Sequence, residues 1–301
     1  LIFGEADQFP GLTVDRFENI LVTQVLSLGM ERRKDWVYRA LVELLREDGE
    51  QIDAIYERND VTIRTLEGLE QGKGFYQMEG LRTDLSGHVT ITENGIKYDV
   101  DYMEGQKTGF FLDQKYNRQA AAKLARGRRV LDCFTHTGAF ALNAAAAGAE
   151  HVTAVDVSAF ALELAAENGK RNGLTNLDYK CADVFDLLTE MAKEKKCDYD
   201  YIILDPPAFT KSRATAKNAY HGYKEINRKA MRLLPRGGYL ATCSCSHFMT
   251  DEMFRKMLQE AALDAGVTLR QIEARQQAPD HPILPEVPET DYLKFYLLQV
   301  V

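Results

Sequence analysis

A carboxylate, two prolines and an aromatic ring stand together at Asp205-Pro206-Pro207-Ala208-Phe209, with Lys211, Arg213 and Lys217 close behind. The apolar run Tyr201-Ile202-Ile203-Leu204 leads into them and reads as a buried strand. Two consecutive prolines forbid a helix and any further ladder bond, so the chain leaves the strand stiff and extended. Open α/β sheets bind ligands just beyond the carboxyl ends of their strands, and Asp205 marks such an end. A carboxylate can hold ring and exocyclic nitrogens, Phe209 offers a flat face, and the cations suit a phosphate. The expected occupant is a nucleobase drawn out of its stack. Pro206, Pro207, Phe209, Lys211, Arg213 and Tyr223 are the expected substrate-binding residues. A second apolar run ends in Ala241-Thr242-Cys243-Ser244-Cys245 and adds two thiols.

A cofactor pocket is legible further upstream. The run Val130-Leu131-Asp132 turns through Cys133-Phe134-Thr135-His136-Thr137-Gly138. A dinucleotide fold wants GxGxxG there, because glycines let the backbone approach a pyrophosphate. Gly138 alone is present, and Asp132 would repel a phosphate while welcoming an ammonium or sulfonium. Asp156 closes the next strand, before Val157, and suits the vicinal hydroxyls of a ribose. Asp183 closes the third, where it could accept from an adenine amine with Val184 or Phe185 near the ring. One acid after a strand is often only a helix cap. Three at successive strand ends describe adenine, ribose and a cationic centre without phosphates, which is S-adenosylmethionine (SAM). The expected cofactor-binding set is Gln114, Arg118, Asp132, Phe134, Thr137, Gly138, Asp156, Val157, Asp183, Val184 and Asp205. Gln114, Asn117 and Arg118 would order the methionine end or the pocket lid, and Arg118 could pair bidentately with the methionine carboxylate.

These residues need a frame. From residue 103 onward strands and helices alternate, with strands expected at 129–133, 151–156, 177–181, 201–204, 239–243, 269–274 and 293–300. Helices are expected at 115–126, 138–147, 159–172, 186–195, 223–234 and 251–265. That rhythm predicts a Rossmann-like, doubly wound, seven-stranded parallel α/β sheet over residues 103–301. Residues 1–102 read as a small α+β domain. It begins with a hairpin over 12–16 and 20–27. A helix over 31–47 follows, with Trp36 in its core. Short strands at 54–56 and 61–63 lead to a loop over 67–87. A second hairpin turns at Asn94-Gly95.

The chain has 301 residues, a net charge of -8 and 27% charged residues, which argues against a surface coated for nucleic acid. A local patch remains: Lys211, Arg213, Lys217, Lys224, Arg228, Lys229, Arg232 and Arg236 interleave with Tyr220 and Tyr223 and suit an RNA backbone. Five cysteines show no CxxC spacing, so reduced thiols, no metal site and a cytoplasmic setting are expected. Cys133, Cys181 and Cys197 read as small buried hydrophobes. No stretch approaches the roughly 20 apolar residues of a membrane helix. The chain opens on Leu1 rather than Met, which leaves room for an upstream piece.

The set formed by residues 132–138, Asp156, Asp183 and Asp205-Pro206-Pro207 resembles the class I SAM-dependent methyltransferases. The segment Lys107-Thr-Gly-Phe-Phe-Leu-Asp-Gln-Lys-Tyr-Asn-Arg118 resembles the lead-in of one branch, the bacterial large-subunit rRNA methyltransferases. The nearest resemblance is to the RlmI-like family of rRNA cytosine-C5 methyltransferases, over nearly the whole chain. Such proteins usually carry an N-terminal RNA-binding PUA domain, and the resemblance implies that this chain begins just after it. A homodimer is common among them.

The resemblance makes the strands ending at Asp205 and Cys243 neighbours, so that Asp205 and Cys245 flank the reactive methyl group as the catalytic pair. Cytosine carbon 5 is a poor nucleophile. A thiolate added at carbon 6 makes it enamine-like, and Asp205 would stabilise the charge that develops. The family pattern aligns Cys245 with its thiol, while Cys243 is expected to end the strand. Pro207 stands where many RNA cytosine methyltransferases carry a second cysteine. Two other functions fit the residues. Asp-Pro-Pro-aromatic motifs also serve methylation of guanine N2 or adenine N6 without a thiol, and a catalytically inactive RNA-binding module would keep the basic stretch. Cys245→Ala separates the first from cytosine-C5 transfer, and SAM binding separates the second.

Overall fold

The computed structural model describes residues 1–194, 197–210 and 215–301. Lys211 and Arg213 therefore lie outside the described residues. The chain forms two compact units. The first holds Leu1–Glu93, Lys97–Asp113 and Ala278–Thr290; the second holds Asn94–Ile96, Gln114–Gln277 and Asp291–Val301.

The first unit carries β1 (Ile2–Phe3), β2 (Leu12–Phe17), β3 (Ile20–Val25), α1 (Leu28–Glu31), α2 (Lys34–Glu47), β4 (Ala54–Asn59) and β5 (Gly72–Phe75). Its sheet runs in the order β1-β2-β3-β4-β5, with α2 as the crossover between the parallel pair β3 and β4. Three expectations are corrected here. Residues 61–63 are not a strand, because Thr62–Glu67 forms a 3-10 turn. Its Arg64 is buried and donates to the carbonyls of Val25 and Glu70 and to Glu31, acceptors that converge only on a tight turn. The edge place beside β4 goes instead to β5, inside the expected loop, where Tyr56 and Phe75 meet edge to face at 5.0 Å. Trp36 is 72% exposed. The Tyr38 hydroxyl, 2.8 Å from that of Thr23, fixes the rotation of α2, so the buried stripe is Val37, Tyr38 and Val42.

A hairpin of β6 (His88–Glu93) and β7 (Ile96–Asp101) forms as expected. Asn94 and Gly95 adopt φ of +53° and +80°, which a tight two-residue turn requires.

The second unit carries α3 (Lys115–Ala122), β8 (Arg129–Cys133), α4 (Ala139–Ala146), β9 (His151–Asp156), α5 (Ala159–Arg171), β10 (Leu177–Cys181) and α6 (Val184–Glu194). It continues with β11 (Tyr201–Leu204), α7 (Ala216–Leu233), β12 (Tyr239–Ser244), α8 (Asp251–Ala265), β13 (Leu269–Arg275) and β14 (Lys294–Val300). The seven strands run β10-β9-β8-β11-β12-β14-β13. The order reverses between β8 and β11, the crevice where such sheets bind ligands. Along β11, Tyr201 and Ile203 face the layer of α3 and α4, while Ile202 and Leu204 face α7 and α8. A strand buried on both faces reads as an unbroken apolar run, which is why Tyr201–Leu204 is legible in the sequence. The expectation of an all-parallel sheet fails at one end. β14 pairs antiparallel with both β12 and β13, because no crossover helix separates β13 from β14. Among the described residues no helix is long and apolar enough to cross a membrane.

Candidate active site

The turn after β8 is built from alternating backbone hands. Phe134, His136 and Gly138 have φ of +63°, +51° and +85°. A Cβ on Gly138 would sit 3.0 Å from that of Ala165 on α5, so only glycine lets the turn pack there. Asp156 braces the turn from the tip of β9: His136 N–H donates to Oδ2 at 2.9 Å and Ser158 N–H to Oδ1 at 2.9 Å. Thr135 Oγ1 donates to Asp132 Oδ2 at 2.5 Å. Asp132 is 1% exposed, and its Oδ1 has no hydrogen-bond partner among the described residues. Burial, helped by Asp205 and Asp156, pushes its carboxyl up to about 7. A buried acceptor without a donor, at the switch point of the sheet, fits the ammonium of SAM. Burial lowers the His136 imidazole, and the Asp156 carboxylate partly offsets this.

The other expected cofactor residues divide by burial. Phe134 is half-buried, Thr137 buried, Arg118 2% exposed in α3, and Val157 72% exposed at the tip of β9. Asp183 is exposed, and its Oδ1 accepts from Asp186 N–H at 3.1 Å, so it also caps α6. The Val184 side chain lies in the core with Leu187 and Leu188, not beside a ligand ring. What Val184 can present to a ligand is its backbone.

The parallel ladder of β11 and β12 aligns Leu204 with Thr242, which sets Asp205 level with Cys243. Asp205 Oδ1 accepts from Gln114 Nε2 at 3.1 Å. Gln114 Oε1 accepts from Asn117 Nδ2 at 2.7 Å, and Asn117 Oδ1 accepts from Arg275 Nε at 3.3 Å. A hydrogen-bonded chain thus runs from the tip of β11 through α3 to the end of β13. Cys243 is fully buried within the core, where burial and then the Asp205 carboxylate push its thiol well above the ordinary range. Cys245 lies just beyond β12 and is half-buried.

Tyr223 corrects an expectation. It is fully buried, so it cannot meet a substrate at the surface. Burial first, then the Cys245 thiol and the Asp205 carboxylate, push its hydroxyl well above the usual value. Tyr223 therefore sits in the core close enough for its hydroxyl to feel both groups. It also backs Phe209, with ring centroids 4.6 Å apart. Phe209 touches Phe185 at 5.7 Å and Phe134 at 6.5 Å, joining the Asp205 turn to the β8 and β10 turns. Pro206 is buried and Pro207 exposed.

Among the described residues the basic stretch is not one patch. Lys224 pairs with Asp264 at 2.9 Å, Arg228 with Glu225 at 2.8 Å, and Lys229 donates to Thr189 at 2.6 Å. The 18 residues of α7 span about 27 Å, so Arg232 and Arg236 stand at the end of the sheet away from Asp205. Lys217 is exposed at the near end. Cys181 is exposed rather than buried, because β10 is an edge strand; its Sγ donates to Val157 O at 3.4 Å. Sequence reasoning missed Lys294, which is 3% exposed and bonded to the loop that carries Cys245. Its signal was a lone charge in the apolar run Leu293-Lys294-Phe295-Tyr296-Leu297-Leu298.

Strand order, switch point and the acids around it define a doubly wound methyltransferase. The model of the S-adenosylmethionine-dependent methyltransferase family matches residues 76–299. The ribosomal RNA large subunit methyltransferase I of Photobacterium profundum is 45% identical over 302 residues, covering 100% of this chain and 74% of that protein. Its namesake in Aeromonas hydrophila is 45% identical over 297 residues, covering 98% and 72%. Among solved structures, a SAM-dependent methyltransferase candidate from Streptococcus mutans shares the fold at TM-score 0.82 and 24% identity, over 99% of this chain and 73% of that one. The chain belongs to the SAM-dependent methyltransferase family, in the branch whose curated members are named ribosomal RNA large subunit methyltransferase I. It is an enzyme, and SAM is its cofactor.

Proposed function

We propose that the protein methylates carbon 5 of a cytosine in large-subunit rRNA, with Cys245 as nucleophile and Asp205 as the group that holds the base. The names of the relatives support the rRNA substrate. The observation that carries the chemistry is the adjacency of β11 and β12, whose ends carry a carboxylate and a half-buried thiol. Bound SAM supplies a methyl group activated by a sulfonium. Asp132 would hold its ammonium, Asp156 its ribose and Asp183 its adenine amine, with Phe134, Thr137, Gly138 and Val157 as walls. Gln114 and Arg118 would order its methionine end.

The thiolate of Cys245 attacks cytosine carbon 6, and the electron pair of the 5,6 double bond moves to carbon 5. Asp205 accepts from the exocyclic amine and, when protonated, donates to N3, stabilising the charge on the ring. After carbon 5 is alkylated its proton leaves to a base, the double bond re-forms and the carbon–sulfur bond breaks. The Cys243 thiol, buried and raised, is unsuited to the attack. Pro206, Pro207 and Phe209 would shape the base pocket, and exposed Lys217 would meet a phosphate.

Cys245→Ala tests the reading. Loss of 5-methylcytosine in rRNA fragments with SAM binding retained supports it. Full methyl transfer by that variant would move the chemistry to an exocyclic amine.

A further inference from the structure

Lys294 is a buried ammonium that the reaction as described does not use. It opens β14 and lies opposite Ser244, the last residue of β12, in the antiparallel ladder. Its Nζ donates to Ser246 O at 2.6 Å and to Tyr292 O at 2.9 Å. It forms no ion pair among the described residues. Burying an ammonium is costly unless an opposite charge compensates, and two carbonyls are a modest return. An apolar residue would fill the same place between Leu293 and Phe295 at less cost.

Its surroundings give the charge a use. Ser246 follows Cys245 directly, and Ser246 Oγ donates to Thr210 O at 3.3 Å, stitching the thiol loop to the turn after Asp205. Lys294 therefore holds the backbone of the thiol loop at the Ser246 carbonyl, which also accepts from Met249 N–H. We propose that Lys294 is a positioning residue for Cys245, fixing its loop and supplying the cationic field that favours its thiolate. Burial pushes the Lys294 ammonium down to about 8, while Asp291, Cys245 and Asp251 each oppose that shift. The coupling with Cys245 is mutual: a thiolate that favours the ammonium is itself favoured by it. Among the described residues, the carboxylates of Asp291, from the segment before β14, and Asp251, from the start of α8, are the other charges facing the group.

The inference rests on Cys245 being the nucleophile, so its test reads the thiol directly. Alkylation of Cys245 by iodoacetamide is followed against pH by peptide mass mapping. In Lys294→Met the midpoint should rise by about one pH unit, the low end for losing a nearby opposite charge. kcat at pH 7 should fall about tenfold, with KM for SAM unchanged. An unmoved midpoint overturns the inference. Should that variant not fold, the unaltered chain decides: Cys245 must reach half-reactivity at lower pH than exposed Cys181, and an equal or higher midpoint overturns it. Cys245→Ala keeps the two ideas apart. If it stays active, the nucleophile reading fails whatever the midpoint does. If it is inactive while the Lys294→Met midpoint does not move, only the role of Lys294 fails.

Discussion

The two halves of the large sheet prepare their ligands in different ways. At the tips of β8, β9 and β10 the acids find partners no more than 20 residues away: Asp132 binds Thr135, Asp156 binds His136 and Ser158, and Asp183 caps its own helix. At the tips of β11 and β12 the partners come from far along the chain. Gln114 reaches Asp205 across 91 residues, and Lys294 reaches Ser246 across 48. The difference teaches that the cofactor half is organised by turns, and the reacting half by strand order.

The largest effects should fall on the reacting half, between two thiols two residues apart. Cys245→Ala should cut methyl transfer by on the order of a thousandfold or more, as loss of a covalent nucleophile does elsewhere. Cys243→Ala should act on stability, by about 1 kcal/mol, because it removes a small buried group from the core. Denaturation midpoints and single-turnover rates measured side by side check both. A reversed pattern would mean that the strand, not the loop, carries the reactive sulfur.

On the cofactor half the sharpest handle is Asp132. Its carboxyl titrates near 7 in the fold and near 3.8 unfolded. Between those values the folded chain keeps a proton that the unfolded chain releases, so stability falls as pH rises from about 4 to 7 and then levels off. Asp132→Asn should remove that slope and raise stability above pH 7 by on the order of 1–4 kcal/mol. The same change should weaken SAM about tenfold or more by removing the acceptor for its ammonium. In the unaltered chain SAM affinity should climb between pH 5 and 7, because a bound cation favours the ionised carboxylate; in the variant it should stay flat. Calorimetric titration across that range decides the point.

Legibility in the sequence follows the same division. The acids at the strand tips were visible because each follows its own apolar run, and the turn at residues 134–138 showed itself by the glycines it lacks. The thiol pair was visible for the same reason. What did not show was everything set by rotation or by return of the chain. Tyr223 looked like an RNA-binding residue because it sits among cations, yet the helix turns it inward against Phe209. Val184 follows the right strand but points into the core. The antiparallel place of β14 depends on a long return that carries no helix, and Lys294 becomes meaningful only once β14 lies beside β12. Local order is written locally, whereas pairing across 50 or more residues is decided by the fold.

A further variant probes how rigid the cofactor turn must be. Gly138→Ala places a methyl 3.0 Å from Ala165 Cβ at a φ of +85°, and both faults should add. A loss of about 1–3 kcal/mol is expected, together with weaker SAM binding, since the turn cannot relax without moving α5. Thermal melts with and without saturating SAM measure it.

The smallest effect separates real phosphate contacts from lysines that only look available. Each phosphate contact on a single strand adds about 0.7 to the slope of log affinity against log salt. Lys217 is exposed at the start of α7, near the Asp205 turn, while Lys224 is tied to Asp264 and Glu260 on α8. Lys217→Ala should lower the salt slope for an rRNA fragment by about one contact's worth. Lys224→Ala should leave the slope alone and loosen only the α7–α8 packing. Equal slopes for both variants would mean that RNA competes Lys224 away from its carboxylates. That would restore the basic stretch as one surface on the reacting side of the sheet.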